Sequence, residues 1–130
     1  MLAIILVTDM GEALLRLPVL FAEYVNMCEA GYDVNVVLLS HRTKAEWVET
    51  PLLQSYATTF RCQRTSAPLA LQSESYSNAG SYLAGRSRDL MKANAKKYDV
   101  FIYQEDDMVI TPSHVTNYIH ETELLSSNKE

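Results

Sequence analysis

Val100-Phe101-Ile102-Tyr103 is an uninterrupted run of β-formers, and it constrains the fold more than any other feature of the chain. A half-exposed strand alternates apolar and polar residues, whereas a continuous run suits a strand covered on both faces, as in a parallel sheet with helices above and below. Gln104-Glu105-Asp106-Asp107 follow at once, so three adjacent carboxylates stand at the C-terminal end of the run. Ligands of open α/β sheets bind at that end. If the extended conformation continues, alternation sets Glu105 and Asp107 on one face and Asp106 on the other. Two converging carboxylates offer hard oxygen ligands that suit Mg²⁺ or Mn²⁺ and leave coordination positions for phosphate oxygens. The competing reading is a solvated acidic turn.

The rest of the chain is organised as alternating strands and helices. Leu2–Val7 is a first strand, and Thr8–Gly11 a turn. A helix follows whose firm part opens with Pro18 at the first helical position and runs to Ala30. Leu17, Phe21, Tyr24 and Cys28 give it one buried stripe, and Gly31 supplies the stop. Asp33–Ser40 is a second buried strand. This βαβ start predicts a Rossmann-like three-layer α/β/α architecture with a mostly parallel sheet, one domain across residues 1–130. Between His41 and Tyr56, Trp47, Val48, Leu52, Leu53 and Tyr56 predict a helical turn, either a helix that Pro51 interrupts or a short helix and a loop. Thr58–Arg64 reads as a short strand, and the Ser-rich stretch Thr65–Asn78 as a loop. Gly80–Lys97 is expected to be a helix with Leu83, Leu90 and Met91 inward. Thr111 as N-cap and Pro112 at the first helical position open a last helix, with Val115, Tyr118, Ile119, Thr122 and Leu125 on one face.

Composition narrows the function classes. Of the 130 residues 48% are hydrophobic and 21% charged, ordinary for a folded domain, and the net charge of −5 argues against nucleic acid or an anionic membrane surface as principal partner. Cys28 and Cys62 lack C-x-x-C spacing, so neither a disulfide framework nor a zinc site is expected, and both read as buried small hydrophobes. The apolar start lacks a basic flank and a small-residue cleavage site, so it is not a signal peptide. No stretch approaches a membrane span. Cytoplasmic and Golgi-lumenal settings both remain open. His41, His114 and His120 lack ligand spacing and are read as surface residues.

The run from Asn78 to Ile110, NAGSYLAGRSRDLMKANAKKYDVFIYQEDDMVI, resembles nucleotide-sugar glycosyltransferases of the GT-A fold, especially those like family 2. Asn78 and Gly80 match an Asn-x-Gly element, Arg86 or Arg88 a helix-borne arginine, and Glu105-Asp106-Asp107 an Asp-any-Asp motif in its Glu-any-Asp form. The resemblance implies that Glu105 and Asp107 hold Mn²⁺ or Mg²⁺ against the diphosphate of a nucleotide-sugar donor, where a Lewis acid stabilises the departing phosphate charge. It places Arg86 and Asp106 among the donor contacts, with Asn78 on the nucleoside; Asp9, a polar residue at another strand C-terminus, is by its position a candidate ribose or base ligand. For Arg86 the alternative is a helix-surface salt bridge, for Asn78 a turn residue, and for Asp9 a loop cap. The chain departs from the family after the second strand, where Ser40-His41-Arg42 replaces a base-reading carboxylate pair. The family's acceptor site and catalytic base lie in sequence that follows the metal motif, and only one helix follows it here. The chain is therefore read as the donor half of a longer enzyme, with the catalytic base unassigned, an unidentified glycan, lipid or protein acceptor, and an unpaired sheet edge or apolar face that favours association.

Three functions compete. The first is a metal-dependent hexosyltransferase-type glycosyltransferase domain; the second is a non-catalytic binding or assembly module that keeps the fold. The third is a receiver-like signalling domain, disfavoured because only Asp9 stands where such domains carry an acidic pair.

Overall fold

Alternation along the first strand decides the layering. In the computed structural model, which describes residues 1–7, 10–40, 51–75 and 83–128, β1 (Leu2–Val7) is buried throughout. Ala3, Ile5 and Val7 point into one apolar cluster and Leu2, Ile4 and Leu6 into another. A strand with two apolar faces needs cover on both sides. The first cluster is completed by α1 (Met10–Glu29), whose Leu17, Phe21, Tyr24 and Cys28 are all buried, as the stripe predicts. The second is closed by Leu90 and Met91 of α3 (Leu83–Ala93). Each fully buried Leu or Phe in these layers contributes ~1.5–3 kcal/mol over its exposed state.

β2 (Asn35–Ser40) and β6 (Phe101–Glu105) both pair parallel with β1, and β5 (Ala70–Ser75) pairs parallel with β2, giving the strand order β5-β2-β1-β6. The fold is thus α/β, a four-stranded all-parallel sheet flanked by helices. β5 corrects the loop expected over Thr65–Asn78, of which residues 76–78 lie outside the described set. Its sequence, ALQSES, carries few aliphatics because an edge strand needs no second buried face. The other edge is β6, where Ile102 and Gln104 are buried while Phe101 and Tyr103 are half-exposed. The apolar run is therefore an edge strand that still packs on both faces, Val100 and Ile102 toward the first cluster and Phe101 and Tyr103 against the second. The two shortest strands, β3 (Arg61–Cys62) and β4 (Ala67–Pro68), pair antiparallel and are separate from the main sheet.

Two prolines bear on the helices. Pro51 is the first residue of α2 (Pro51–Thr59), a place where its missing N–H costs nothing, and the part of the expected helical turn before it, residues 41–50, lies outside the described residues. Pro18 lies inside α1, which starts eight residues before it. A proline there deprives the carbonyl four residues earlier of its donor. That carbonyl belongs to Leu14, and the Tyr56 hydroxyl of α2 donates to it at 2.9 Å. A long-range bond replaces the missing local one, which is why the helix survives its proline.

The C-terminus of α1 is closed by a glycine turn. Gly31 adopts φ +110°, its N–H bonds the Cys28 carbonyl at 3.0 Å, and the Tyr32 N–H bonds Met27 at 3.1 Å. Arg64 completes the closure, its Nε donating to the Cys28 carbonyl at 2.6 Å while one Nη reaches the Tyr32 carbonyl and the Asp33 carboxylate. Beside it Cys28 and Cys62 form a disulfide that joins the end of α1 to β3. This corrects the reading of two free buried cysteines: residues 34 apart in sequence are brought to a Cα separation of 6.1 Å by the β3–β4 hairpin, which C-x-x-C spacing does not reveal. The last helix, α4 (Pro112–Ser127), begins as predicted. The Thr111 hydroxyl accepts the His114 N–H, and His114 Nδ1 accepts the Thr111 N–H in return. Its expected apolar face is only half used: Val115 is buried, whereas Tyr118 and Leu125 are both 67% exposed.

Candidate functional site at the sheet C-terminal edge

All four strands run the same way, so their C-terminal ends share one side of the molecule. From β1 the chain winds outward through β2 to β5, whereas β6 lies on the other flank of β1. The strand order therefore reverses between β1 and β6, the position at which open α/β sheets bind ligands. Glu105 is level with Leu6, one residue before β1 ends, and Ser40 at the end of β2 is level with Val7. The acidic triplet thus occupies the switch point.

The extended conformation does not continue through the triplet. The Met108 N–H bonds the Glu105 carbonyl at 3.2 Å and closes a turn over Asp106 and Asp107. Two core side chains hold that turn from beneath. Gln104 is 1% exposed; its Oε1 accepts from the Tyr24 hydroxyl of α1, and its Nε2 donates to the Met108 carbonyl at 2.7 Å. Burial pushes the Tyr24 phenol far above its ordinary value, so it stays a neutral donor. A buried amide satisfied on both sides fixes the backbone that follows it, because leaving either partner unmade costs ~1–3 kcal/mol.

The three carboxylates meet different fates. Asp106 is 5% exposed and accepts from Arg16 Nη1 of α1 at 3.4 Å. Arg16 also pairs with Glu12, one turn earlier, at 3.2 Å. Glu105 and Asp107 are exposed and, among the described residues, form no ion pair. The nearby Tyr103 phenol is pushed up, first by burial and then by the negative charge of Glu105. Beside the turn a hollow of about 230 Å³ is lined by Arg16, Asp106 and Asp107 on its polar side and by Leu15, Val19 and Val109 on its apolar side. Chemically, the turn offers two solvent-exposed carboxylates beside a mixed polar and apolar hollow, with a third carboxylate buried and paired to Arg16.

Of the other expected contacts, Asp9 and Asn78 lie outside the described residues. Arg86 is exposed on α3 and pairs with Asp89 at 3.6 Å, the local partner that a helix-surface arginine finds. Arg16 went unnoticed in the sequence. Its only signal there is the Glu12–Arg16 spacing of a helix-surface pair, while Asp106 is 90 residues away. Among the described residues no group of three or more His, Cys, Asp or Glu side chains is placed to hold a metal ion. The donor set suits Mg²⁺ or Mn²⁺ only as a two-carboxylate anchor, the remaining positions being left to phosphate oxygens and water. Compared with models of known protein families, with curated proteins and with solved structures, the chain matches none.

Proposed function

We propose that the chain is the donor-binding part of a GT-A-type glycosyltransferase, in which Glu105 and Asp107 anchor Mn²⁺ or Mg²⁺ for a nucleotide-diphosphate sugar. The observation that carries this reading is the acidic turn at the strand-order reversal, pinned from within by Gln104 and presenting two of its three carboxylates to solvent. When bound, the cation offsets the negative charge that gathers on the departing nucleoside diphosphate. The chain's own residues then have separate tasks. Glu105 and Asp107 supply oxygen ligands. Asp106 fixes Arg16 at the floor of the hollow, and the Gln104–Tyr24 pair keeps the turn from relaxing when the two exposed charges repel. The acceptor and the catalytic base remain unassigned.

The test is calorimetric titration with uridine, guanosine and cytidine diphosphates in the presence of Mn²⁺, Mg²⁺ or chelator. Cation-dependent binding of one or more diphosphates, lost in Asp107→Asn and in Glu105→Gln, supports the assignment. Binding that is equal in chelator rejects the carboxylate role. A second reading, a non-catalytic binding or assembly module, is favoured by the absence of a third acidic ligand among the described residues. Diphosphate binding that neither cation nor substitution alters would select it.

A further inference from the structure

Of the two sheet edges, β5 is the polar one and β6 the apolar one. Leu2 N–H bonds the Val100 carbonyl at 3.0 Å, so Val100, Ile102 and Gln104 address β1. In a parallel ladder the N–H and C=O of one residue point the same way and alternate along the strand. Those of Phe101 and Tyr103 therefore face away from the sheet, and among the described residues nothing bonds them there. Natural edges are blunted by Lys, Pro or a bulge. Phe101–Glu105 carries none of these.

A cavity of about 280 Å³ runs beside this edge, lined by the four consecutive residues Val100–Tyr103 and, on the other side, by Ile110 and by His114, Val115 and Tyr118 of α4, so that it is mainly apolar with one imidazole on its wall. Consecutive residues point to opposite faces of a sheet, so only an approach along the edge meets all four. Val100 and Tyr118 also border a second cavity, of about 610 Å³, at the N-terminal end of β6. Its charged lining is Asp33, Asp99 and Glu123 against the Met1 ammonium, with Asp33 already paired to Arg64. The two cavities share Val100 and Tyr118 as a common wall and so lie side by side, mainly apolar along the strand and acidic at its start.

We infer that the open edge of β6 accepts an extended peptide of a partner protein as a fifth strand, with an aliphatic side chain in the apolar cavity and a Lys or Arg at the Asp99–Glu123 end. Backbone pairing to Phe101 and Tyr103 supplies the register, and the two carboxylates select the basic residue by charge complementarity. A second copy of the chain fits worse. Antiparallel self-pairing centred on Ile102 sets Asp99 opposite Glu105, and centred on Tyr103 it sets Asp99 opposite Asp107, like charges in both registers; centred on Phe101 it sets Asp99 opposite Tyr103 with no like charges meeting, and that register is the one the dilution measurement below tests. The inference needs neither cation nor nucleotide, so its failure is independent of the glycosyltransferase reading.

The test uses two capped octapeptides, Thr-Val-Thr-Val-Thr-Val-Lys-Lys for antiparallel and Lys-Lys-Val-Thr-Val-Thr-Val-Thr for parallel addition, titrated into labelled protein in chelator. One of them is expected to shift the Phe101 and Tyr103 amide resonances and slow their solvent exchange. N-methylation of alternate peptide residues should abolish binding, and Lys-to-Glu exchange in the peptide should weaken it at least ~10-fold, since two attractions become repulsions. The exposed double variant Asp99→Asn/Glu123→Gln should reduce the preference for lysine over glutamate peptides by a similar factor. Three outcomes overturn the inference: no shift with either peptide, binding indifferent to N-methylation, or Phe101 and Tyr103 resonances that move on simple dilution, which would assign the edge to a second copy.

Discussion

Tyr56→Phe isolates the bond that lets α1 contain a proline. The substitution removes one hydroxyl and keeps the ring, so the edge-on contacts of Tyr56 with Phe21 at 5.8 Å and with Phe60 at 5.8 Å are retained. What is lost is the 2.9 Å bond to the Leu14 carbonyl. Because Pro18 has no N–H, that carbonyl has no helical donor, and leaving it unmade at a partly buried position costs ~1–2 kcal/mol. With a urea slope of ~1.5 kcal/mol per molar for a chain of this size, a loss of ~1.5 kcal/mol lowers the unfolding midpoint by about 1 M. In a Pro18→Ala background residue 18 donates to Leu14 itself. There Tyr56→Phe is expected to cost no more than ~0.5 kcal/mol, which makes the coupling between the two sites ~1 kcal/mol. Urea melts of the parent, both single variants and the double variant measure it. Equal costs in the two backgrounds would refute the reasoning, because the hydroxyl would then be acting independently of the proline.

Reducing the Cys28–Cys62 disulfide, or replacing both residues by Ser, should lower stability by up to about 4 kcal/mol, the chain-entropy ceiling for a loop of 34 residues; urea melts with and without reductant read it. Tyr24→Phe should cost ~1 kcal/mol near neutrality, where it removes the donor to Gln104. The same variant should flatten alkaline destabilisation: the folded-state phenol titrates above its ordinary 10.0, so the native chain binds more protons than the unfolded one and loses ~1.4 kcal/mol per pH unit once pH passes ~10. Melts at about pH 9 to 11 check the sign, and an unchanged slope would exclude Tyr24 as a source. Asp107→Asn should leave the cation-free chain equally or more stable, by up to ~1 kcal/mol, while abolishing any rise in melting temperature caused by millimolar Mn²⁺. Asp106→Asn should instead destabilise through the lost Arg16 pairing.

Legibility of the fold tracked how locally each element is determined. β1, the α1 stripe, the Gly31 stop and the Thr111–Pro112 start rest on periodicity or on caps within four residues, and the structure reproduces them. What the sequence concealed depends on partners far along the chain. Pro18 reads as a helix start because proline ordinarily sits there, and only Tyr56, 42 positions from Leu14, makes an interior proline tolerable. β5 resembles a loop because its strand character comes from β2's backbone and not from its own side chains. The disulfide depends on a hairpin whose two strands are two residues each, too short to carry an alternation to detect.

The acidic site shows the same division within three residues. That carboxylates stand at a strand's C-terminal end was visible from composition and order, and their burial does alternate, with Asp106 inside and its neighbours outside. The cause differs from strand alternation. A turn closed by Met108 and held by Gln104 rotates Asp106 toward Arg16, so the exposed pair is set by a buried amide and by a helix 90 residues earlier. Gln104 looks like the polar end of an apolar run, yet it is more buried than Ile102 before it. A buried amide satisfied by a helix hydroxyl on one side and a turn carbonyl on the other couples α1 to the acidic turn. Any ligand drawing Glu105 and Asp107 together must therefore work against a backbone already fixed by the core, so its affinity reports how well that turn is preorganised.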